Sequence, residues 1–277
     1  MVNMLDRQLA PLFPGPPGRQ VRIERDSQGR VTDALLDDTV NLVNEHIDRL
    51  SMIGLKSIVV GLSGGVDSAV ACVLAQRSQF PATALIIEMD VEDGLSRDVL
   101  SSIEMAERIG IRHEVVNAAT VYQGHLALFA HNSTVTRVHL RSRVITNIIF
   151  QYADNHSSAV IDTTDRSEDV LKIYEESFRG HLAPLAGFFK TELYEIADRV
   201  GLPELRGIRS GCPELLDFDA FGMEWEDLDA LLHLITVDRM TPESICDQYG
   251  LDRTWLADLV NRIERQPLRT IATKLTP

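Results

Sequence analysis

One stretch of the sequence, residues 61–68, combines glycines, hydroxyls and a carboxylate in a way that suits phosphate chemistry. It reads Gly61-Leu62-Ser63-Gly64-Gly65-Val66-Asp67-Ser68 and lies between an apolar run and a helical pattern. Adjacent glycines let backbone N–H groups approach a ligand. The serines add hydroxyl donors, and the N-terminus of the following helix attracts an anion. Asp67 fits such a nest if it holds a Mg²⁺ ion that bridges the phosphates.

Two familiar nucleotide loops do not match this stretch. No Gly-Lys-Ser/Thr follows the glycines, which excludes the Walker loop, and the dinucleotide pattern GxGxxG is absent. The plainest alternative is a glycine-rich turn in which Asp67 only caps a helix. Because strand, glycines, serines, aspartate and helix coincide, we favour a site for phosphate or pyrophosphate.

Composition narrows the function classes. The 277 residues carry 27 Lys and Arg against 41 Asp and Glu, a formal charge of −14, which makes nucleic acid an unlikely general partner. The three cysteines are far apart in the sequence, and this spacing fits neither a disulfide framework nor a zinc site. No signal peptide and no membrane-length apolar stretch is found. We expect a cytoplasmic protein without a membrane partner.

The elements that must position the loop alternate regularly. Short apolar runs predict strands over residues 58–60, 84–87, 115–116 and 159–161. Helical periodicity begins near residue 39 and predicts further helices over residues 68–76, 98–109, 137–155 and 191–200. This order indicates an α/β fold, with a parallel sheet of about five strands and helices on both faces. Residues 1–38 are expected to form an irregular lead-in, and 39–277 a single domain with a helical tail from about 222.

The loop and its surroundings resemble a known family. SGGVDS after an apolar strand resembles the PP-loop of the N-type ATP pyrophosphatases, which have an adenine nucleotide α-hydrolase-like fold. These enzymes adenylate a carboxylate or carbonyl with ATP and release pyrophosphate. The residues from about 40 to 235 are most similar to the ammonia-dependent NAD synthetases within that superfamily. The further matching segments are Arg141-Ser-Arg143, residues 162–168, residues 182–191, Gly201-Leu-Pro203 with Ser210, and residues 221–229.

The resemblance implies roles for individual residues. Residues 61–68, Met89 and Thr163 would hold ATP, Asp67 and Glu168 would hold Mg²⁺, Lys190 and Ser210 would contact phosphates, and Arg141 would contact the acid to be adenylated. Read without the family, Arg141 and Arg143 could be surface charges and Glu168 a helix cap. The cofactors implied are ATP and Mg²⁺. The resemblance also implies a homodimer.

Three departures from the family pattern are found, two in segments that bind the acid in the family and a third near the nucleotide. The family's TKxGDGG segment is replaced by the shorter run at residues 175–180, and its terminal His-Lys-Arg by Glu264-Arg265-Gln266-Pro267. Asp162 replaces a glycine. The acid is therefore either deamido-NAD or a different small carboxylate. About 60 residues precede the loop, too few for a glutaminase domain, so we expect free ammonia or a separate donor protein.

Cys212 supports a second hypothesis. It follows Ser210 and Gly211, where a thiolate could attack an adenylated substrate or deliver sulfur, as some PP-loop sulfur transferases do. Its alternative is an ordinary loop cysteine, since a single thiol is weak evidence. Cys72 and Cys246 lie on apolar helix faces and are expected in the core. A third possibility is a regulatory protein that binds ATP without releasing pyrophosphate.

Overall fold

The computed structural model describes residues 23, 31–90, 94–171, 179–207 and 223–264, and these contain one parallel sheet. Its strands are β1 (Ser57–Gly61), β2 (Ala82–Glu88), β3 (Arg112–Asn117) and β4 (Ser158–Val160), in the order β3-β2-β1-β4. The α/β class is confirmed. Four strands are present in the described part, where about five were expected. A single parallel bridge between Ile161 and Leu182 lies just beyond β4.

Helices connect and follow the strands. They are α1 (Asp33–Ser51), α2 (Val66–Arg77), α3 (Arg97–Ile109), α4 (Ala119–Leu126), α5 (Thr134–His156), α6 (Arg166–Leu171), α7 (Lys190–Arg199), α8 (Trp225–Thr236), α9 (Pro242–Tyr249) and α10 (Arg253–Glu264). The predicted lead-in of residues 1–38 was too long, because α1 begins at Asp33. There the Thr32 side chain accepts the N–H of Leu35 at 3.1 Å and caps the helix. Likewise Ser133 caps α5, which starts before the expected residue 137.

The two faces of the sheet bury alternate side chains. Ile58 and Val60 belong to the large core on the side of α2, whereas Val59 packs with Ile149 and Ala153 of α5 on the other side. Helices α2 and α3 contact one face of the sheet and α5 contacts β1 and β4 from the other. Helices therefore cover both faces, which explains the apolar runs of β1, β2 and β4, whereas the edge strand β3 contains no buried residue.

The packing of α5 on β1 requires a glycine at the end of that strand. A Cβ atom at Gly61 would lie 2.7 Å from Cδ1 of Ile149, well inside van der Waals contact. Because the strands are parallel, the carboxyl ends of β1, β2 and β4 lie at one edge of the sheet and lead into loops there.

None of the described helices combines the length and the apolar character that a membrane span requires.

Candidate active site

The loop after β1 is held in shape by its own serines. The Ser68 hydroxyl donates to the carbonyl of Gly65 at 3.0 Å and accepts the N–H of Ser63 at 3.2 Å. Gly64 adopts a φ of +86°, a conformation that costs other residues energy. Within the part of the chain that the structure describes, no side chain caps α2 at its N-cap residue Gly65, and free N–H groups at a helix start suit an anion. Asp67 lies in the first turn of α2 and is not the helix cap.

A buried lysine gathers three carboxylates next to this loop. Lys190, the first residue of α7, places its Nζ atom 2.6 Å from Oδ1 of Asp67 and 2.8 Å from Oδ2 of Asp165. The third neighbour is Oε1 of Glu168 on α6, at 3.2 Å. The fold thus joins α2, α6 and α7 through one charged cluster, which we call the lysine–carboxylate cluster (Asp67, Asp165, Glu168 and Lys190).

The cluster has the donors that a divalent cation needs. One carboxylate oxygen from each of Asp67, Asp165 and Glu168 lies within 4.8 Å of the other two. Oδ2 of Asp165 is buried and, among the described residues, accepts no well-directed hydrogen bond despite its proximity to Lys190. With all three carboxylates ionised, the cluster including the ammonium carries a charge of −2, which one divalent ion would balance. Oxygen ligands of this kind suit Mg²⁺.

The resemblance implied Asp67 and Glu168 as metal ligands, but not Asp165. The position of Asp165 three residues before Glu168 could have indicated it, because this spacing places both side chains at the start of α6. Glu168 also takes part in a reciprocal cap, because its N–H donates to Oδ1 of Asp165 at 2.8 Å while its Oε2 accepts the N–H of Asp165 at 3.3 Å. Glu168 therefore does take part in capping α6, as the alternative predicted, but only through Oε2. Its Oε1 atom contacts Lys190 in the cluster.

Burial and neighbouring charges shift the titration of the cluster. Burial raises the pKa of Asp165 to about 6, with Lys190 opposing and Asp67 adding to this effect. The pKa of Glu168 is raised as well, chiefly by burial. Burial alone would lower the pKa of Lys190, but Asp67, Glu168 and Asp165 outweigh it and hold that pKa well above its usual value. The lysine is consequently a permanent cation at this position.

A cavity of about 240 Å³ lies between the loop and α5. Its walls include Ser63 and Ser68 of the loop, Ile145 and Ile149 of α5, and the predicted nucleotide ligand Thr163. Mostly apolar walls with a few hydroxyls suit a nucleoside next to a phosphate-binding loop. A larger cavity of about 650 Å³ lies between α1 and residues 181–192, and Lys190 and residues 61–68 are absent from its lining.

Other predicted site residues are placed less centrally. Arg141 of α5 has Nη1 3.6 Å from Oδ1 of Asp90, just past β2, so it lies at the carboxyl edge of the sheet. Met89 is buried with Ala118 and Val144 and is not among the residues that line the cavity beside the loop. Ser210 and Cys212 lie outside the described residues. Cys72 and Cys246 are buried free cysteines, as expected.

Comparisons with known proteins agree with this geometry. The family model for NAD synthase matches residues 36–269. The chain is 27% identical over 222 residues to the NH(3)-dependent NAD(+) synthetase of Staphylothermus marinus, covering 77% of this chain and 81% of the relative. It is 25% identical over 261 residues to that of Methanosarcina mazei, covering 87% and 93%.

Solved structures show the same fold. The NH3-dependent NAD synthetase from Campylobacter jejuni superposes with a TM-score of 0.67 at 17% identity, covering 86% of this chain and 98% of that one. The NMN synthetase from Francisella tularensis gives a TM-score of 0.66 at 20% identity, covering 84% and 96%. With the family model spanning most of its length, the chain belongs to the NAD synthase family and is an ATP-dependent ligase of a family that works with Mg²⁺.

Proposed function

We propose that this protein adenylates a carboxylic acid with Mg-ATP, releases pyrophosphate, and transfers ammonia to the acyl adenylate to form an amide with release of AMP. The lysine–carboxylate cluster beside loop 61–68 carries this proposal, because it can hold both a metal and the phosphates of ATP. Negative charge accumulates at the α-phosphate during adenylation, and a buried ammonium stabilises it strongly in a water-poor site.

Each part of the site has a role in this proposal. Residues 61–68 and Thr163 bind the nucleotide, Lys190 contacts its phosphates, and Arg141 faces the acid. Asp67, Asp165 and Glu168 would hold Mg²⁺, which supplies charge neutralisation at the phosphates when it is bound. The reaction needs no protein nucleophile, because the carboxylate of the substrate attacks the α-phosphate once the site has aligned the two.

We further propose that the acid is one other than deamido-NAD. The departures from the family pattern support this view, and two of them are in contact. The buried carboxylate of Asp162 accepts the N–H of Gly180 at 3.4 Å, and Oδ2 of Asp162 lies 3.8 Å from Nη1 of Arg179. Asp162 therefore anchors the end of the altered run at residues 175–180. The name NMN synthetase for one similar structure also fits a fold that amidates more than one acid.

The test is a pyrophosphate-release assay with Mg-ATP and ammonium, run across a panel of acids. The panel contains deamido-NAD, nicotinate mononucleotide and small carboxylates, and mass spectrometry identifies the amide. We expect release that depends on one acid of the panel other than deamido-NAD. Release with deamido-NAD alone would contradict the substrate proposal, and no release with any acid would contradict the ligase proposal.

A pair of variants separates recognition of the acid from binding of ATP. Asp162→Gly restores the family's residue and removes the anchor of Gly180. We expect it to change the relative kcat/KM values among acids while the Kd for ATP stays within about twofold, since Asp162 is not among the residues that line the cavity beside the loop. Arg253→Ala, an exposed arginine of α10, serves as the control.

We also propose that the protein is a homodimer that takes free ammonia. Light scattering coupled to size-exclusion chromatography measures the mass directly. A monomeric mass under assay conditions, with full activity, would contradict the dimer. Activity that needs glutamine and a second protein, and fails with ammonium, would contradict the ammonia source.

A further inference from the structure

A buried carboxylate outside the cluster is hydrogen-bonded to the main chain next to its lysine. Asp229 of α8 is fully buried, and both of its oxygens are used. Oδ1 accepts the hydroxyl of Ser167 at 2.6 Å, and Oδ2 accepts the main-chain N–H of Thr191 at 2.8 Å. Ser167 in turn accepts the main-chain N–H of Lys190 at 2.9 Å. One side chain from the C-terminal helices thus ties α6 to the first turn of α7.

The bonded residues are the direct neighbours of the cluster. Ser167 precedes Glu168, and Thr191 follows Lys190. We propose that Asp229 is a positioning residue that fixes Lys190 and Glu168 relative to each other, so that the ammonium and the metal ligand address the same phosphates. This inference rests on the proposed function, which gives those phosphates a reason to be there.

The chemistry of Asp229 indicates that it positions its hydrogen-bonding neighbours rather than only filling space in the core. Burying a carboxylate is costly, and burial raises the pKa of Asp229 to about 7. An apolar side chain would fill the same space without that cost, but it would leave the N–H of Thr191 and the hydroxyl of Ser167 unpaired. Helix α8 meets the lysine at a second point, because the Trp225 ring centre lies 5.6 Å from Nζ. Helix α8 therefore contacts both the main chain of Thr191 and the ammonium of Lys190.

An asparagine at this position distinguishes the two roles. Asp229→Asn keeps the shape, yet its amide can accept only one of the two hydrogen bonds and turns an NH₂ group towards the other donor. Ser167→Ala removes the link between Asp229 and Lys190 with a minimal change of volume. Glu226→Gln is the matched control, since Glu226 is an exposed carboxylate on the same helix, paired with Arg206.

The experiment measures Mn²⁺ affinity by electron paramagnetic resonance with ATP present, and kcat and KM by pyrophosphate release. We expect Asp229→Asn to weaken Mn²⁺ binding and to lower kcat by about 10–100-fold each, with KM for ATP changing less, while Glu226→Gln stays at wild-type values. The double variant with Ser167→Ala should be no worse than Asp229→Asn alone, because both break one connection.

Wild-type Mn²⁺ affinity and kcat in Asp229→Asn, with lowered thermal stability only, would overturn the proposal and leave Asp229 a packing residue. Fully additive effects in the double variant would overturn it as well. If Asp229→Asn does not fold, Ser167→Ala decides by the same two measurements. Mn²⁺ binding needs no acyl substrate, so a failure of amide synthesis with every acid leaves this test intact.

Discussion

Replacing Lys190 with methionine should destabilise the metal-free protein by about 3–5 kcal/mol, the usual cost of removing one partner from a buried ion pair. Lys190→Met keeps most of the apolar stem and removes only the charge. Lys190 is 2% exposed and is the cation shared by three carboxylates, so its loss leaves like charges facing one another.

The distances set the scale of the effect. At an effective dielectric constant of about 20, each of the three lysine–carboxylate contacts contributes about 5–6 kcal/mol of attraction before desolvation is subtracted. The carboxylate oxygens lie within 4.8 Å of one another, so each ionised pair repels by about 3 kcal/mol or more on the same scale. Proton uptake by the carboxylates relieves part of this repulsion, which is why the expected loss is smaller than these values together.

Urea denaturation with and without Mg²⁺ measures this prediction. Without Mg²⁺ the variant should show the full loss of unfolding free energy. With Mg²⁺ much of the loss should be recovered, because the divalent ion replaces the missing positive charge. Lys56→Met is the control, since Lys56 is exposed and should change stability by less than about 0.5 kcal/mol. A loss below about 1 kcal/mol at Lys190, or no response to Mg²⁺, would refute the reasoning.

Three further changes test other parts of the molecule. Asp67→Asn should lower pyrophosphate release at least about 100-fold, because the proposed Mg²⁺ site would lose a charged ligand, and retained activity in the same assay would contradict that role for Asp67. Gly180→Ala should destabilise the protein by about 1–3 kcal/mol in urea, since its Cβ would lie 2.5 Å from the main-chain nitrogen of Asp162. Gly187→Ala, which points into open space, should be near neutral, and equal effects would contradict this account. Cys212→Ala should leave amide synthesis intact, whereas loss of product would favour the thiolate mechanism.

Strands β1, β2 and β4 were predictable because they are largely buried and therefore contain apolar runs bounded by turns, whereas the partly exposed edge strand β3 was predicted only at Val115 and Val116. Helix starts were predicted less well, since they depend on single capping side chains. Thr32 begins α1 earlier than its apolar periodicity alone indicated. Asp165 was overlooked for a related reason. A carboxylate three residues from Glu168 has an ordinary role as a cap, and nothing local to it reveals Lys190, which lies far along the chain.

The α/β class, the phosphate loop and the resemblance to NAD synthetases could all be predicted from the sequence, because glycine spacing and apolar periodicity are local properties of the chain. The tertiary structure alone decided that Asp67, Asp165 and Glu168 share one lysine, and that Asp229 of α8 holds that lysine's main chain through Ser167. These contacts join residues separated by up to 123 positions. Their existence depends on how α2, α6, α7 and α8 pack, and packing is a property of the whole fold.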